Sequence, residues 1–267
     1  MTNILQSIVI GATQGITEFL PISSSGHLIA LPYIFRWPEH SLAYDVALHF
    51  GTAIALLAFF WRDWLRIIQG AFSKDTTKAT SKYPRNLLWQ ILVASIPAMI
   101  VGLILDKYVE NYFHSPILLA ANFAIFGICL WAADKYSSQD QKLENMGYKK
   151  SILIGLAQCL ALIPGVSRSG ITMVAARTQG LNREESARFS FLLGTPAMVG
   201  AFVFKFKDIS GGDLSISFWI GVATSAIFGF VFIKFLLDYL KKGSFSVFAW
   251  YRLIFAAILL AVYLLKN

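Results

Sequence analysis

Six uninterrupted apolar stretches of the chain are each close to the length that crosses a bilayer as a helix. They cover residues 46–61, 86–105, 116–133, 188–206, 216–236 and 246–265. Because a spanning helix needs about 17–25 residues, the first stretch is short, and we expect its helix to begin a few residues earlier. The pattern therefore predicts an all-α integral membrane protein with six transmembrane helices.

Two further apolar stretches, residues 4–35 and 151–180, are interrupted near their middles by Pro, Gly and Ser. Each is predicted to form two half-length helices that meet at a polar turn, which is a re-entrant pair rather than a span. Non-helical backbone at membrane depth is tolerated only where protein or a polar cavity surrounds it. The two breaks, each of which carries a polar motif, are therefore candidates for a functional site.

The two halves of the chain resemble each other. A shift of 144 positions brings five residues of the first broken stretch onto identical residues of the second: Gly11, Gln14, Ser23, Ser25 and Gly26 onto Gly155, Gln158, Ser167, Ser169 and Gly170. Chance matching of Gly and Ser is the simpler explanation, but each broken stretch is also followed by three spans, which favours a repeat. We predict one membrane domain, 1–267, with repeat one at about 1–133, repeat two at about 151–267 and a cytoplasmic linker, 134–150.

Charged residues make up only 14% of the chain and hydrophobic residues 56%, whereas about a quarter of a soluble domain is charged. The net charge of +8 does not indicate nucleic-acid binding, because Lys and Arg fall in the gaps between apolar stretches. Thirteen of them lie in loops 62–85, 134–150 and 234–245, whereas the opposite loops hold Lys107, Lys205, Lys207 and the terminal Lys266. The positive-inside rule places the first set in the cytoplasm. Both termini then lie outside, and the two broken pairs enter from opposite faces, as inverted-topology repeats would.

The first break carries a carboxylate and an amide on one helical face, Glu18 and Gln14, four residues apart. A Glu in hydrocarbon is costly unless it faces a polar cavity. Beside a bound phosphate, such a pair could hold Mg²⁺ or Ca²⁺, since both prefer oxygen ligands. A structural Glu that ties down the broken helix is the alternative.

Three hydroxyls, those of Ser23, Ser24 and Ser25, follow at the turn and open a short helix. Free backbone N–H groups and the helix dipole make such a turn an anion site, although small residues there could also serve helix packing. His27 lies one helical turn after Ser24, so a nucleophile and its base could meet. His49, four residues after Asp45, is interpreted as a hydrogen-bonding residue outside the site.

The second break carries Arg168 between Ser167 and Ser169, directly after a Pro-Gly turn. A guanidinium at membrane depth needs an anionic partner, and it binds phosphate bidentately. A salt bridge to Glu18 is the alternative, and the two interpretations are compatible because Glu18 could hold Arg168 until an anion arrives.

These motifs resemble those of the bacterial undecaprenyl-diphosphate phosphatase family, also called the bacitracin-resistance family. The first runs from Gln14 through Glu18 and Phe-Leu-Pro to the Ser-Ser-Ser-Gly-His run that ends at His27. The second runs from Pro164 to Ser169, with Thr172 three positions on. The resemblance covers nearly the whole chain. One departure is Gln14, where many members carry Glu, because an amide cannot act as an ionised base.

The resemblance implies a plasma-membrane enzyme that hydrolyses undecaprenyl diphosphate to undecaprenyl phosphate and inorganic phosphate. This activity recycles the lipid carrier of peptidoglycan and confers bacitracin resistance. It also implies bilayer lipid around the chain, an extracytoplasmic active site, and bacitracin as a competitor that binds the same lipid. A homodimer is one oligomeric state that the sequence allows. Substrate contacts are expected from Gln14, Ser23, Ser25, Ser167, Ser169, Gly170 and Thr172.

Under this interpretation Ser24 attacks the terminal phosphorus, with His27 as its proton partner. Arg168 and the two serine turns bind the diphosphate. Glu18, together with Gln14, holds the divalent cation. A water activated by His27 is the rival nucleophile. A second class of protein, a lipid-carrier transporter with or without phosphatase activity, also fits inverted repeats with broken helices. A structural scaffold would leave Glu18 and Arg168 without a purpose.

Overall fold

Helices make up almost all of the described part of the chain, residues 4–38, 40–73, 83–112, 115–137, 141–205 and 214–266 of the computed structural model. Two short 3₁₀ turns occur at Leu143–Asn145 and Cys159–Leu162. Within those ranges the chain forms no β-strand, as the all-α prediction requires. The α-helices are α1 Ile4–Phe19, α2 Ser24–Phe35, α3 Leu42–Phe72, α4 Leu87–Tyr112, α5 Pro116–Tyr136, α6 Tyr148–Gln158, α7 Arg168–Thr178, α8 Arg183–Lys205, α9 Ile216–Leu240 and α10 Ser246–Lys266.

Six of these helices, α3, α4, α5, α8, α9 and α10, are long and apolar enough to cross a membrane. They coincide with the six predicted spans, so the prediction of a multi-pass membrane protein is confirmed. The four remaining helices, at 11 to 16 residues, are shorter than the roughly 20 residues that a span needs. They form the two broken pairs.

The largest error in a predicted boundary is at α3, which continues for eleven residues beyond the predicted end of its span at residue 61. The loop predicted from residue 62 is helical as far as Phe72 because the helix continues as an amphipathic one. Ile67 is buried in the core on one face, whereas Arg62 and Arg66 are exposed on the other. Four residues used in the charge argument, Lys74, Lys78, Lys82 and Lys207, lie outside the described residues.

Both predicted breaks are present. α1 ends at Phe19 and α2 begins at Ser24, whereas α6 passes through the second 3₁₀ turn before α7 begins at Arg168. The second pair starts three residues earlier than predicted, at Tyr148. Each break leaves the first turn of a new helix, with its free backbone N–H groups, inside the protein.

The broken pairs pack across the molecule, each on the other half of the chain. α1 lies against α9 and α6 lies against α4. Glycines make both contacts close: a Cβ on Gly11 would lie 2.6 Å from the Gly221 carbonyl oxygen, and one on Gly155 would lie 2.1 Å from that of Ala94. This packing of each broken pair on the other half of the chain is compatible with the predicted repeats. The inverted orientation and the boundaries of the repeats stay a prediction.

The close contact at Gly155 predicts that Gly155→Ala destabilises the fold. The added methyl group meets main-chain atoms of α4 that cannot rotate away, so we expect a loss of roughly 1–3 kcal/mol in the free energy of unfolding. Gly70→Ala is the matched control, because nothing lies within 4 Å of a Cβ at Gly70 in α3. Thermal unfolding in one detergent, followed by circular dichroism, should show a lower midpoint for Gly155→Ala alone. Equal midpoints for the two variants would contradict the packing of α6 on α4.

Candidate active site

The two breaks have the same local geometry. Ser23 and Ser167 precede α2 and α7 with φ of 75° and 76°, a left-handed region that non-glycine residues rarely adopt. Each serine Oγ accepts a hydrogen bond from a backbone N–H three residues on, at Gly26 (3.3 Å) and Gly170 (3.0 Å). Strained backbone of this kind clusters at functional sites. The shift of 144 positions therefore relates two copies of one helix-initiating turn.

The two turns are in direct contact. Ser169 Oγ donates a hydrogen bond to the carbonyl oxygen of Leu20, 3.1 Å away in the first break. Ser24 and Arg168, the first residues of α2 and α7, occupy equivalent positions in the two copies. The structure thus brings the N-termini of two helices, each with a positive dipole end, to one place.

Glu18 joins the two copies. Its Oε2 accepts a hydrogen bond from Ser24 Oγ at 2.6 Å, and its Oε1 accepts one from Arg168 Nη2 at 2.7 Å. Gln14 Nε2 donates a third, at 3.1 Å, to Oε2. The carboxylate is buried, with 6% of its side chain exposed. The predicted salt bridge between Glu18 and Arg168 is therefore present.

Arg168 is held on its other side by α8. Its Nη1 donates to the Ser190 carbonyl oxygen at 3.3 Å, and its Nη2 lies 3.2 Å from Met198 Sδ. Room for the guanidinium depends on Gly194, because a Cβ there would lie 1.7 Å from Nη1. The guanidinium therefore keeps a fixed position, although only one of its contacts is to a charged group.

His27 does not contact the Ser24 hydroxyl, so the predicted pairing of these two residues is corrected. His27 Nδ1 lies 2.7 Å from the Ser23 carbonyl oxygen and must donate to it, which leaves Nε2 as the acceptor for the Tyr251 hydroxyl, also at 2.7 Å. The imidazole therefore does not face α1. The Ser24 hydroxyl does face α1, where it donates its hydrogen bond to Glu18. Any role of His27 in catalysis stays a prediction.

His49, set aside in the sequence interpretation, lies at the site. Its Nε2 is 3.7 Å from Glu18 Oε2, and its Nδ1 lies 2.8 Å from the Asp45 carbonyl oxygen. With 38% of its side chain exposed, it is the most open residue around the carboxylate. Only its spacing from Asp45 marked it in the sequence, and no local pattern shows that α3 passes next to α1.

The remaining predicted site residues lie around the two turns. Ser25 and Ser169 each pair with the capping serine two residues before them, at 3.4 and 3.2 Å between hydroxyl oxygens. Thr172 is fully buried and donates to the Arg168 carbonyl oxygen at 2.7 Å, so it braces α7 rather than facing an open space. Its hydroxyl also lies 2.6 Å from that of Ser190 on α8, a residue that the sequence interpretation did not select.

The oxygen atoms near Glu18 suit a hard divalent cation. Gln14 Oε1 is buried and has no hydrogen-bond partner, so it is available as a ligand beside the carboxylate. No cluster of three or more His, Cys, Asp or Glu side chains occurs in the described ranges. One carboxylate and one amide oxygen fit a cation such as Mg²⁺ that takes its other ligands from water and from substrate phosphate.

A cavity of about 420 Å³ lies between α1, α2 and α10. Its wall is apolar, with Ile16, Leu20 and Phe255 among its lining residues, and His27 and Tyr251 add polar atoms at one edge. On α1 the cavity faces a different side from Glu18, because Thr13 and Ile16, which line it, lie more than 100° around the helix from Glu18. The cavity and the carboxylate therefore lie on two sides of the same broken helix.

These features define an integral membrane protein with a buried polar site built from two broken helix pairs. The chain belongs to the family described as bacitracin resistance protein BacA, whose model matches residues 7–258. It is 44% identical over 264 residues to the undecaprenyl-diphosphatase of Moorella thermoacetica, covering 99% of both chains. It is 45% identical over 251 residues to that of Pelotomaculum thermopropionicum, covering 94% and 93% of the two chains. It is 42% identical over 265 residues to that of Desulforudis audaxviator, covering 99% and 100%.

The ion pair in the site predicts that Glu18→Gln destabilises the protein. The substitution leaves the Arg168 guanidinium buried without its carboxylate, and breaking a buried pair in this way costs roughly 3–5 kcal/mol. Glu18→Gln/Arg168→Met should recover part of the loss, because it removes the unpaired charge. Glu144→Gln, at an exposed Glu in a 3₁₀ turn, is the control and should change stability by no more than about 0.5 kcal/mol. Thermal unfolding measures all three, and an unchanged midpoint for Glu18→Gln would contradict the ion pair.

Proposed function

We propose that this protein is an undecaprenyl-diphosphatase, which hydrolyses undecaprenyl diphosphate to undecaprenyl phosphate and inorganic phosphate. The observation that carries the proposal is that a serine hydroxyl and an arginine from two helix N-termini share one buried carboxylate. The names of the relatives, which cover nearly the full chain, support the substrate and the reaction. The activity recycles the lipid carrier of cell-envelope polymers.

Binding of the diphosphate follows from the charges of the site. Arg168 and the free N–H groups of α2 and α7 converge where Ser24 lies, so the phosphates would be bound by donors that are already in place. The Arg168 guanidinium offers five N–H donors, so it can bind the anion while it keeps its hydrogen bond to Glu18. Ser25, half-buried at the first turn, adds a hydroxyl at the same place.

The chemistry assigned to this geometry is attack by Ser24 Oγ on the terminal phosphorus. The serine proton passes to Glu18 Oε2, which already accepts it at 2.6 Å. The bond between phosphorus and the bridging oxygen breaks, and undecaprenyl phosphate leaves with that oxygen. Water then attacks the phosphorus of the phosphoserine and the bond from phosphorus to Ser24 Oγ breaks. Oγ takes its proton back from Glu18, and inorganic phosphate leaves with the oxygen and protons of the water. Glu18 replaces His27 as the base because it is the group that the Ser24 hydroxyl contacts.

A divalent cation would be held by the Glu18 carboxylate and by Gln14 Oε1. When bound, it would neutralise part of the negative charge of the phosphate groups. His27, fixed by Ser23 and Tyr251, would instead orient the first turn. Its place on the wall of the apolar cavity suggests that the first prenyl units lie there, close to the turn that holds the headgroup.

The protein is assigned to the bacterial plasma membrane, with both termini and the site on the extracytoplasmic side. The support is the concentration of Lys and Arg in the loops of the opposite side. In that orientation bacitracin, by binding the lipid diphosphate outside the cell, would deprive the enzyme of substrate. A homodimer stays a prediction.

The phosphatase proposal predicts release of inorganic phosphate from a C15 or C55 prenyl diphosphate by the purified protein. Ser24→Ala and Arg168→Lys should each lower kcat/KM by at least about 10²-fold, since one loses the nucleophile and the other the bidentate donor. Ser73→Ala, at the half-buried residue that follows the last turn of α3, is the control and should keep full activity. A chelator should abolish release, and added Mg²⁺ or Ca²⁺ should restore it. No release from folded wild-type protein would contradict the proposal.

Rapid quench separates the two nucleophiles. If Ser24 attacks, ³²P from the terminal phosphate should appear on the protein within one turnover, and mass spectrometry should place it on Ser24. Glu18→Gln should slow that burst, because the serine proton then has no carboxylate to accept it. A single turnover that releases phosphate with no labelled protein at any time point would assign the attack to water.

A transporter of the lipid carrier is the second candidate, favoured by the two broken helix pairs that pack across the molecule. A transporter alone would release no phosphate. In sealed vesicles with labelled undecaprenyl diphosphate on one leaflet, we expect hydrolysis without exchange of the labelled lipid between leaflets. Protein-dependent exchange in Ser24→Ala vesicles would show a transport function that does not need the chemistry.

A further inference from the structure

A second arginine is buried at membrane depth, and nothing proposed so far uses it. Arg252 lies in α10, one of the six apolar spans, and only 1% of it is exposed. A guanidinium in such a position is costly unless its donors are satisfied. None of the carboxylates in the described ranges forms an ion pair with it. Its charge is therefore balanced by other groups.

Those groups are main-chain carbonyls of both breaks. Arg252 Nη1 donates to the carbonyl oxygens of Pro21 at 3.3 Å and Val166 at 3.1 Å, and Nη2 donates to that of Gly165 at 2.6 Å. Pro21 belongs to the turn before α2, and the other two belong to the turn before α7. One guanidinium thus binds the carbonyl groups of both turns of the proposed active site, on the side opposite to their free N–H groups.

The rest of the guanidinium is held by α5. Nε and Nη2 donate to the carbonyl oxygens of Phe123 and Asn122, both at 3.3 Å, and the guanidinium carbon lies 5.3 Å from the centre of the Phe123 ring. Asn122 in turn donates from Nδ2 to the carbonyl oxygen of Pro164 at 2.8 Å. Arg252 is therefore held firmly by one long helix while it holds the two turns.

We infer that Arg252 is a positioning residue for the reaction: it fixes the two helix-initiating turns against each other so that Ser24 and Arg168 meet at one carboxylate. Its charge also lies close to the N-terminus of α7, since a Cβ on Gly170 would be 3.6 Å from Nη1. It therefore adds positive potential behind the anion site without touching the substrate. This inference rests on the phosphatase proposal for its kinetic part only.

The shape of the guanidinium, and not only its charge, is what this role requires. Five donors in one plane reach five carbonyl oxygens on three separate segments. A lysine ammonium is a point charge with three donors, so it could not reach all three segments at once. Arg252→Lys is the decisive variant, because it keeps the positive charge and removes the simultaneous contacts with the three segments. Arg252→Gln removes the charge as well as those contacts.

The chain offers a control in Arg177 of α7, which differs from Arg252 in that its Nε also lies 3.7 Å from a carboxylate oxygen, Asp134 Oδ1. Arg177 is fully buried as well, and it also donates to main-chain carbonyl oxygens, those of Leu181 (2.5 Å), Asp134 (3.5 Å) and Ser137 (3.4 Å). None of these carbonyls belongs to either turn. Arg177→Lys therefore carries the general cost of changing a buried arginine without disturbing the site.

The test compares Arg252→Lys with Arg177→Lys by kinetics and by hydrogen–deuterium exchange, using variants that elute as monodisperse protein. For Arg252→Lys we expect kcat to fall about 10²-fold, as when reacting groups are displaced by about 1 Å, while KM changes less than about threefold. Exchange should rise in peptides that cover Ser23–Gly26 and in those that cover Ser167–Gly170. For Arg177→Lys we expect a lower unfolding midpoint, unchanged kcat and unchanged exchange in both turns.

Full kcat in Arg252→Lys, or exchange that is unchanged in either turn, would overturn the inference. An equal loss of kcat in Arg177→Lys would also overturn it, because the effect would then belong to any buried arginine. The exchange measurement needs no substrate. If the wild-type protein released no phosphate, the phosphatase proposal would fail, and increased exchange in both turns of Arg252→Lys would still support the positioning role.

Discussion

The carboxylate of Glu18 is the group on which the arrangement of the site depends. A buried carboxylate at membrane depth is stable only when donors surround it, and those donors come from separate parts of the chain. Ser24 supplies one from the first copy of the turn and Arg168 supplies another from the second. Satisfying this one group therefore requires the two broken helix pairs to meet, although they lie about half a chain apart in sequence.

The breaks in the helices make that meeting chemically useful. A continuous helix would bury its N–H groups in its own hydrogen bonds, whereas α2 and α7 each begin inside the protein and present free donors there. The positive φ of Ser23 and Ser167 sets the direction in which each new helix starts. Arg252 then ties the carbonyl groups on the opposite side of both turns. Arg252 thus satisfies the carbonyl groups on one side of the two turns, and the free N–H donors on the other side are left for an anion.

Features set by local sequence were predictable. Hydropathy predicted the six spans, and Pro-Gly and Ser runs predicted the two breaks. The cost of charge in hydrocarbon required an anionic partner for Arg168, and Glu18 was one of the two partners considered. The identical spacing of Ser23 and Ser167 from Gly26 and Gly170 favoured a repeat, and the two turns have the same cap geometry. In each case the physical cause acts within one helix or on one buried charge.

Features set by packing between distant segments were not predictable. The three-residue spacing of Ser24 and His27 suggested a pair, but the imidazole bonds the Ser23 carbonyl group and Tyr251, 224 residues away. His49 lies next to Glu18 only because α3 packs beside α1. Arg252 could have been selected, since an arginine inside an apolar span is itself a signal, but its carbonyl partners depend on the fold.

A structure with orthovanadate tests whether both turns act on one phosphate. Vanadate imitates the five-coordinate phosphorus of in-line attack. We expect vanadium bonded to Ser24 Oγ, with Arg168 and the α7 N-terminus donating to its equatorial oxygens. Vanadate bound by one turn alone, or held away from Ser24 with Glu18 still paired to Arg168, would contradict it.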